Sequence, residues 1–310
     1  MPMIEIRDLN KQYKNLHAVK NLTLTIEQGD IFGFIGPNGA GKTTTIKTMA
    51  TLLEPTSGAV FIDGVDVTRN QLEVRKLIGY MPDFFGVYDD IKVWEYLDFF
   101  AAAYKIPREK RPGIIDDVLE LTDLTVKREA YVEELSRGMK QRLCLAKTLV
   151  HDPKVLLLDE PASGLDPRAR IEFRALLKEL QAMGKTIFVS SHILTELADM
   201  CNKVGIMEQG SLIVAGEVAD IMQQLEGSIG VEITVQSDPE VAANLLRGQP
   251  QIREVEVVNH NLRVEYVGTR AELPVLLKLL VVNGVEVSSF TDREANLEDV
   301  FMKVTKGAVN

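Results

Sequence analysis

Gly36-Pro37-Asn38-Gly39-Ala40-Gly41-Lys42-Thr43-Thr44 is the stretch on which the reading of this chain turns. The apolar run Asp30-Ile31-Phe32-Gly33-Phe34-Ile35 before it reads as a buried strand, and Thr45 to Leu53 after it as a helix that ends before Pro55. Glycines without a Cβ let such a loop wrap closely enough for successive backbone N–H groups to point at phosphate oxygens. The helix N-terminus adds partial positive charge behind them. In that frame Lys42 reaches the β- and γ-phosphates of a nucleotide and the Thr43 hydroxyl ligates Mg²⁺, while Gly36, Pro37, Asn38, Gly39, Ala40, Gly41 and Thr44 complete the cradle.

A second segment supplies acids for the same chemistry. Lys154-Val155-Leu156-Leu157-Leu158-Asp159-Glu160-Pro161 is an apolar strand ending in two carboxylates, the pattern of a parallel sheet buried on both faces. Such a sheet delivers its acids at the C-terminal edge, where the phosphate loop also sits. Asp159 is expected to hold Mg²⁺ through its water shell, and Glu160 to act as the base that activates the attacking water. The loop Ala162-Ser163-Gly164-Leu165-Asp166-Pro167 then leads into a helix over Arg168 to Met183. A further buried strand, Thr186 to Ser191, ends at His192, whose imidazole is placed on the edge that carries Glu160 and is within reach of a γ-phosphate.

The remaining segments are less decisive. Residues 3 to 35 read as two or three strands joined by the polar segment Lys11 to Asn21, in which Tyr13 is either a platform for adenine or an ordinary strand-edge tyrosine. Gly58 to Val67 and Leu77 to Met81 read as further short strands. Aromatic residues then crowd together: Trp94, Leu97, Ala101 and Tyr104 follow helical spacing, while Tyr96, Phe99 and Phe100 lie on another side of that helix. The aromatics mark either a docking surface or the core of a small helical subdomain spanning about residues 88 to 150. Ser136, in Glu134-Leu135-Ser136-Arg137-Gly138-Met139-Lys140-Gln141-Arg142, has the character of a helix N-cap, and the N–H groups after it are open to an anion.

Composition bounds the alternatives. With 310 residues the chain has room for two domains, and a net charge of −10 argues against broad nucleic-acid binding. Cys144 and Cys201 lie far apart without metal-ligand spacing, and Cys201 reads as a core thiol beside Leu194, Leu197 and Ala198. Ile4-Glu5-Ile6-Arg7 starts a strand-like alternation where a secretory leader would stand, so a cytoplasmic protein is expected. The apolar stretch Leu273 to Val282 is interrupted by Pro274 and Lys278, short of the roughly 18 apolar residues of a membrane span. Any membrane role therefore comes through a partner.

Taken in order, these elements resemble the ATP-binding subunits of ABC transporters over about residues 3 to 220: a Walker A loop, a signature before a helix, a Walker B strand with its glutamate, and a switch histidine. The resemblance implies a P-loop NTPase α/β domain over residues 1–220 that binds ATP and Mg²⁺ and hydrolyses ATP. It also implies a head-to-tail dimer with a second ATPase chain, expected to be identical, serving a separate transmembrane permease at the inner face of the membrane. On that model Ser136 and Gly138 bind the γ-phosphate held by the partner chain, Asp166 communicates across the interface, and Tyr13 stacks on adenine. A soluble ATP switch acting on nucleic acid or ribosomes is the alternative; its relatives carry a coiled-coil insertion or two cassettes, neither of which is seen here. The intact Asp159-Glu160 pair speaks against a nucleotide sensor that does not hydrolyse.

The chain departs from the family at two places. The usual Leu-Ser-Gly-Gly-Gln signature keeps Leu135, Ser136 and Gly138, but Arg137 and Met139 replace a glycine and the glutamine. After Gly79-Tyr80-Met81-Pro82, where the family carries a Mg²⁺-touching glutamine, stands Asp83, and no glutamine occurs between Gln71 and Gln141. Aspartate is still a hard oxygen ligand, so Asp83 is expected to touch the metal. Beyond a linker over residues 221–230, a βαββαβ order over residues 231–310 predicts a smaller α+β ferredoxin-like domain, followed by a helix capped by Asn296. The ending Asn296-Leu297-Glu298-Asp299-Val300-Phe301 resembles the tail of subunits in drug and antibiotic exporters, which implies export and a regulatory or dimer-stabilising appendage.

Overall fold

The structure, a computed structural model, describes residues 2–84, 86, 90–193, 197, 200–223 and 229–293. The chain divides into two compact units, Met1–Glu217 and Val218–Asn310.

The first unit is built on two sheets. Strands β1 (Pro2–Tyr13), β2 (Leu16–Glu27), β4 (Ser57–Ile62) and β5 (Val65–Asp66) form an antiparallel sheet in the order β2-β1-β4-β5. The polar segment read from the sequence as a connection over Lys11 to Asn21 is strand: β1 and β2 form one long hairpin, with Tyr13 facing Leu16 across the turn. Its polarity reflects exposure at the hairpin tip, not loss of the hydrogen-bond ladder.

The second sheet positions the chemistry. Strands β3 (Ile31–Ile35), β6 (Ile78–Met81), β7 (Val155–Asp159), β8 (Thr186–Ser191), β9 (Lys203–Glu208) and β10 (Ser211–Glu217) lie in the order β10-β9-β3-β8-β7-β6. All neighbours are parallel except the β9–β10 pair. Every residue of β3, β7 and β8 is buried, which explains the apolar runs over residues 31–35, 155–158 and 187–189. Phe188 stacks on Phe32 at 5.6 Å and tilts against Phe34 at 5.2 Å, filling one face of the sheet. Because β8 lies between β3 and β7, the chain ends of all three open on one edge.

Helix α1 (Lys42–Met49) follows the phosphate loop, and α2 (Gln71–Leu77) precedes β6. The sequence reading missed α2, in which only Val74 is buried, too little to write a helical period. Helices α3 (Val93–Ala103), α4 (Arg111–Leu121) and α5 (Arg137–Leu149) form the helical segment, and α6 (Pro167–Ala182) follows β7. In α3 the buried face is Val93, Tyr96, Leu97 and Ala101, which takes Leu97 and Ala101 from one apolar side read in the sequence and Tyr96 from the other. Trp94 is covered by the Arg128 guanidinium, 5.7 Å from its ring centre, and Phe99 and Tyr104 remain exposed. Both cysteines are buried, Cys201 as the sequence suggests, and Cys201 packs beside Gly33. Of its expected stripe, Leu194 and Ala198 lie outside the described residues.

The second unit contains α7 (Val218–Gln223), β11 (Ile229–Val235), α8 (Pro239–Arg247), β12 (Ile252–Val258), β13 (Asn261–Tyr266), α9 (Leu273–Val282) and β14 (Val287–Arg293). Its sheet has the order β12-β13-β11-β14 with every neighbour antiparallel, the ferredoxin-like arrangement of a βαββαβ chain. Val231, Ile233, Ala242, Leu246, Leu262 and Leu280 lie in its own core. Residues 221–223 and 229–230, read as linker, lie in α7 and β11, while residues 224–228 and the expected helix at Asn296 lie outside the described residues.

Candidate functional site

The loop between β3 and α1 needs its glycines for space as well as for conformation. A Cβ on Gly36 would collide with the Met207 carbonyl oxygen. Gly41, at φ 109° before α1, has the Ala18 carbonyl where a Cβ would stand. Lys42 is only 6% exposed and curls beneath the loop, its ammonium donating to the Gly36 oxygen at 2.6 Å and the Pro37 oxygen at 3.3 Å. The same ammonium stands 3.4 Å from Glu160 Oε1, so the phosphate loop and the end of β7 meet in one buried ion pair.

Asp159 is almost fully buried at the end of β7. Its carboxylate accepts a hydrogen bond from Ser190 Oγ at 2.7 Å and another from the Thr43 hydroxyl. Burial pushes its pKa up; the hydrogen bonds from Ser190 and Thr43 pull against this, and the nearby charges of Asp83 and Glu160 add to it. Ser190 Oγ also accepts from the Glu160 N–H at 3.0 Å, tying the two acids to β8 through one hydroxyl. Tyr80, on β6 beside them, has its hydroxyl pushed up to about 12 by burial and by the charges of Asp159 and Asp83, and so stays a neutral donor.

Glu160 adopts φ 49°, the left-handed region that a residue with a side chain enters only when its surroundings compel it. That turn aims its carboxylate back over the sheet edge. Oε2 lies 2.8 Å from His192 Nδ1, and Oε1 faces Lys42 without a hydrogen-bond partner. Lys42, Thr43, Asp159, Glu160 and His192, found on separate segments of the sequence, are thus brought together. Asp83 is exposed, yet near enough to Asp159 and Tyr80 for its charge to act on both. Thr43 and Asp159 offer hard oxygens of the kind Mg²⁺ takes when it keeps waters and substrate phosphates as its other ligands, so the donor set fits that ion.

Three other expected residues form a separate cluster. Ser136 caps α5, its Oγ accepting from the Met139 N–H at 3.3 Å, as the sequence suggested. Asp166 caps α6, accepting from the Ala169 N–H at 2.9 Å. Gly138 packs against the start of α6, where a Cβ would lie 3.7 Å from Ala169 and 3.8 Å from Leu165. Tyr13, 42% exposed with the Lys11 ammonium 5.2 Å from its ring centre, pairs with Leu16, two residues before Ala18 at the phosphate loop. The sequence gives no site role to Ser190 or Tyr80, although polar residues at the end of a fully buried strand are a signal of sorts.

Comparison with known proteins adds to this geometry. Residues 19–163 match the sequence family described as ABC transporter, and residues 216–305 match the C-terminal domain of DrrA1-3-like ATP-binding proteins. The chain is 36% identical over 308 residues to the bacitracin transport ATP-binding protein BcrA of Bacillus licheniformis, covering 98% of both chains. It is 33% identical to the Nod factor export ATP-binding protein I of Burkholderia lata, covering 97% of this chain and 96% of that one. Among solved structures, an ATP-binding subunit of an ABC transporter superposes with a TM-score of 0.65 at 28% identity, covering 72% of this chain and 93% of that one. The cbiO1 protein from Clostridium perfringens, part of an ABC transporter complex, also reaches 0.65 at 27% identity, covering 80% of this chain and 96% of its own.

Proposed function

The chain belongs to the ABC transporter family as an ATP-binding, ATP-hydrolysing subunit, and on that premise we propose that it drives a separate membrane permease in the export direction. The relatives named for bacitracin transport and Nod factor export support export of an antibiotic or other small molecule. The observation that carries the catalytic reading is the meeting of Lys42, Glu160 and His192 at the end of the parallel sheet.

In this reading the triphosphate competes with the Gly36 and Pro37 carbonyls and with Glu160 for the Lys42 ammonium. Glu160, released from that ion pair and held by His192, takes the proton of the attacking water. Thr43, Asp159 and Asp83 would hold Mg²⁺, which when bound neutralises charge on the β- and γ-phosphates. Tyr13 stacks on the adenine. Two identical chains close head to tail, with Ser136 and Gly138 of one presented to the γ-phosphate on the other and Asp166 reporting across the seam. The start of α5, a helix N-terminus whose dipole favours an anion, supports this assignment.

Among the described residues no helix is long and apolar enough to cross a membrane, so we assign attachment at the inner face of the membrane to the permease. The groove of about 370 Å³ beside the exposed Tyr104, bordered by Leu52, Arg75 and Tyr80, is the surface we assign to that contact. No observation favours action on nucleic acid or ribosomes. The test is co-expression of a tagged chain with a candidate polytopic membrane protein encoded beside it. Elution of both from detergent-extracted membranes is expected; a chain that stays wholly in the soluble fraction would remove the transport reading.

The Asp83 assignment has its own expected outcome. Asp83→Ala raises the Mg²⁺ concentration needed for half-maximal ATP hydrolysis by about tenfold, the usual scale for losing one oxygen partner around a metal. Titrating Mg²⁺ at saturating ATP measures it. If neither the Mg²⁺ dependence nor the rate changes, Asp83 is not a metal ligand.

A further inference from the structure

Arg137 stands where the family signature has a glycine, and the structure gives its side chain a definite seat. Its guanidinium donates through Nη2 to the Ser163 carbonyl oxygen at 3.1 Å. It also lies across Gly164, occupying the space that a Cβ on that residue would need. Gly164 has φ 69°, so the turn that opens this seat already calls for glycine. One helical turn further along α5, the buried Gln141 donates its amide to the Pro161 carbonyl oxygen. Positions i and i+4 share one face of a helix. Two side chains on one face of α5 therefore grip two carbonyls of the loop that runs from Glu160 to Asp166.

The charge of Arg137 is not spent on an acid. Among the described residues it has no carboxylate partner, whereas Arg142 on the same helix pairs with Asp123 and Glu172. Among the described residues a neutral carbonyl and a glycine hold this cation, which points to a seat chosen for its shape. The glycine usual in the family has no group with which to make this link.

We propose that Arg137 is a positioning residue that locks the signature turn to the Ser163–Gly164 peptide, so that Ser136 and Asp166 meet a second copy of this chain as one surface. The proposal rests on the head-to-tail reading above and adds to it the residue that keeps the two partner-facing segments in register.

The test uses the full-length chain carrying Glu160→Gln, in which the head-to-tail reading expects ATP-held dimers to accumulate. Adding Arg137→Ala is expected to weaken ATP-dependent dimerisation about tenfold by analytical ultracentrifugation, the scale of one partly exposed charge-assisted hydrogen bond. Binding of a fluorescent ATP analogue to dilute monomer stays within about twofold, because the phosphate loop is untouched. Arg137→Lys keeps the charge but has no flat guanidinium to lay on Gly164, and recovers only part of the loss. Gly164→Ala puts a methyl where the guanidinium lies and repeats the defect, and the double variant is no worse than either single one.

Hydrogen exchange reads the latch even where Gly164→Ala fails to fold. The Ser163 and Leu165 amides donate to the Glu160 and Ala162 oxygens at 3.1 and 3.3 Å, and Arg137→Ala is expected to speed their exchange by at least about fivefold. Unchanged exchange, unchanged dimerisation, or additive losses in the double variant would overturn the proposal. A Glu160→Gln chain that never dimerises with ATP overturns the head-to-tail reading, and with it the partner-facing role, whatever the exchange result.

Discussion

Glu160→Gln is expected to lower steady ATP turnover by about 10³-fold while leaving ATP bound, since a positioned general base contributes roughly 10² to 10⁴. The amide is nearly isosteric, so the left-handed turn at φ 49° and the Ser190 bridge to the Glu160 N–H survive the change. What is lost is the proton acceptor. A glutamine also no longer pairs with the Lys42 ammonium, 3.4 Å from Oε1 in the native chain, and this frees Lys42 for phosphate. Turnover followed by phosphate release, with retained nucleotide measured beside it, separates the two effects. Turnover that persists within tenfold of native would refute Glu160 as the base. His192→Ala, which removes the imidazole 2.8 Å from Oε2, serves as the comparison: it leaves the base in place but unheld.

Lys42→Ala is expected to weaken ATP binding by about 100-fold. Truncating one partner of a buried, hydrogen-bonded charge pair costs roughly 2 to 5 kcal/mol. Lys42 is 6% exposed and its ammonium is the cation held directly under the loop, so water compensates little for its removal. The change also leaves Glu160 Oε1, already without a hydrogen bond, facing no cation. Calorimetric titration measures the affinity directly. A thermal shift gives an independent reading: ATP at 100 times its dissociation constant stabilises the native chain by about 2.7 kcal/mol, and the variant should show almost none of this at the same concentration. A variant that binds ATP as tightly as the native chain would show that the backbone cradle alone holds the triphosphate.

Some of the site is legible in the sequence because its causes are local. A loop that must approach backbone closely needs glycine, and Gly36 and Gly41 are written where a Cβ would strike the carbonyls of Met207 and Ala18. A strand covered on both faces needs uninterrupted apolar side chains, and β7 spells them up to Asp159. A helix start needs an acceptor, and Ser136 and Asp166 provide one each. The same logic failed where the cause was weak: α2 buries one side chain, and the β1–β2 hairpin pairs residues too polar to look like strand.

Sequence alone therefore determined the phosphate loop, the acidic strand end, the capped signature helix and the βαββαβ succession of the C-terminal unit, since each follows from the conformational needs of neighbouring residues. Only the tertiary structure decided what those pieces do to one another. The order β3-β8-β7 brings Lys42 to Glu160, lets Ser190 hold both acids, and sets His192 against a carboxylate 32 positions earlier in the chain. It likewise turned Arg137, a mere departure from a motif when read in one dimension, into a clasp on Ser163 26 residues away. Contacts of that reach are set by which strands become neighbours, and a linear pattern of residue types carries no record of strand order.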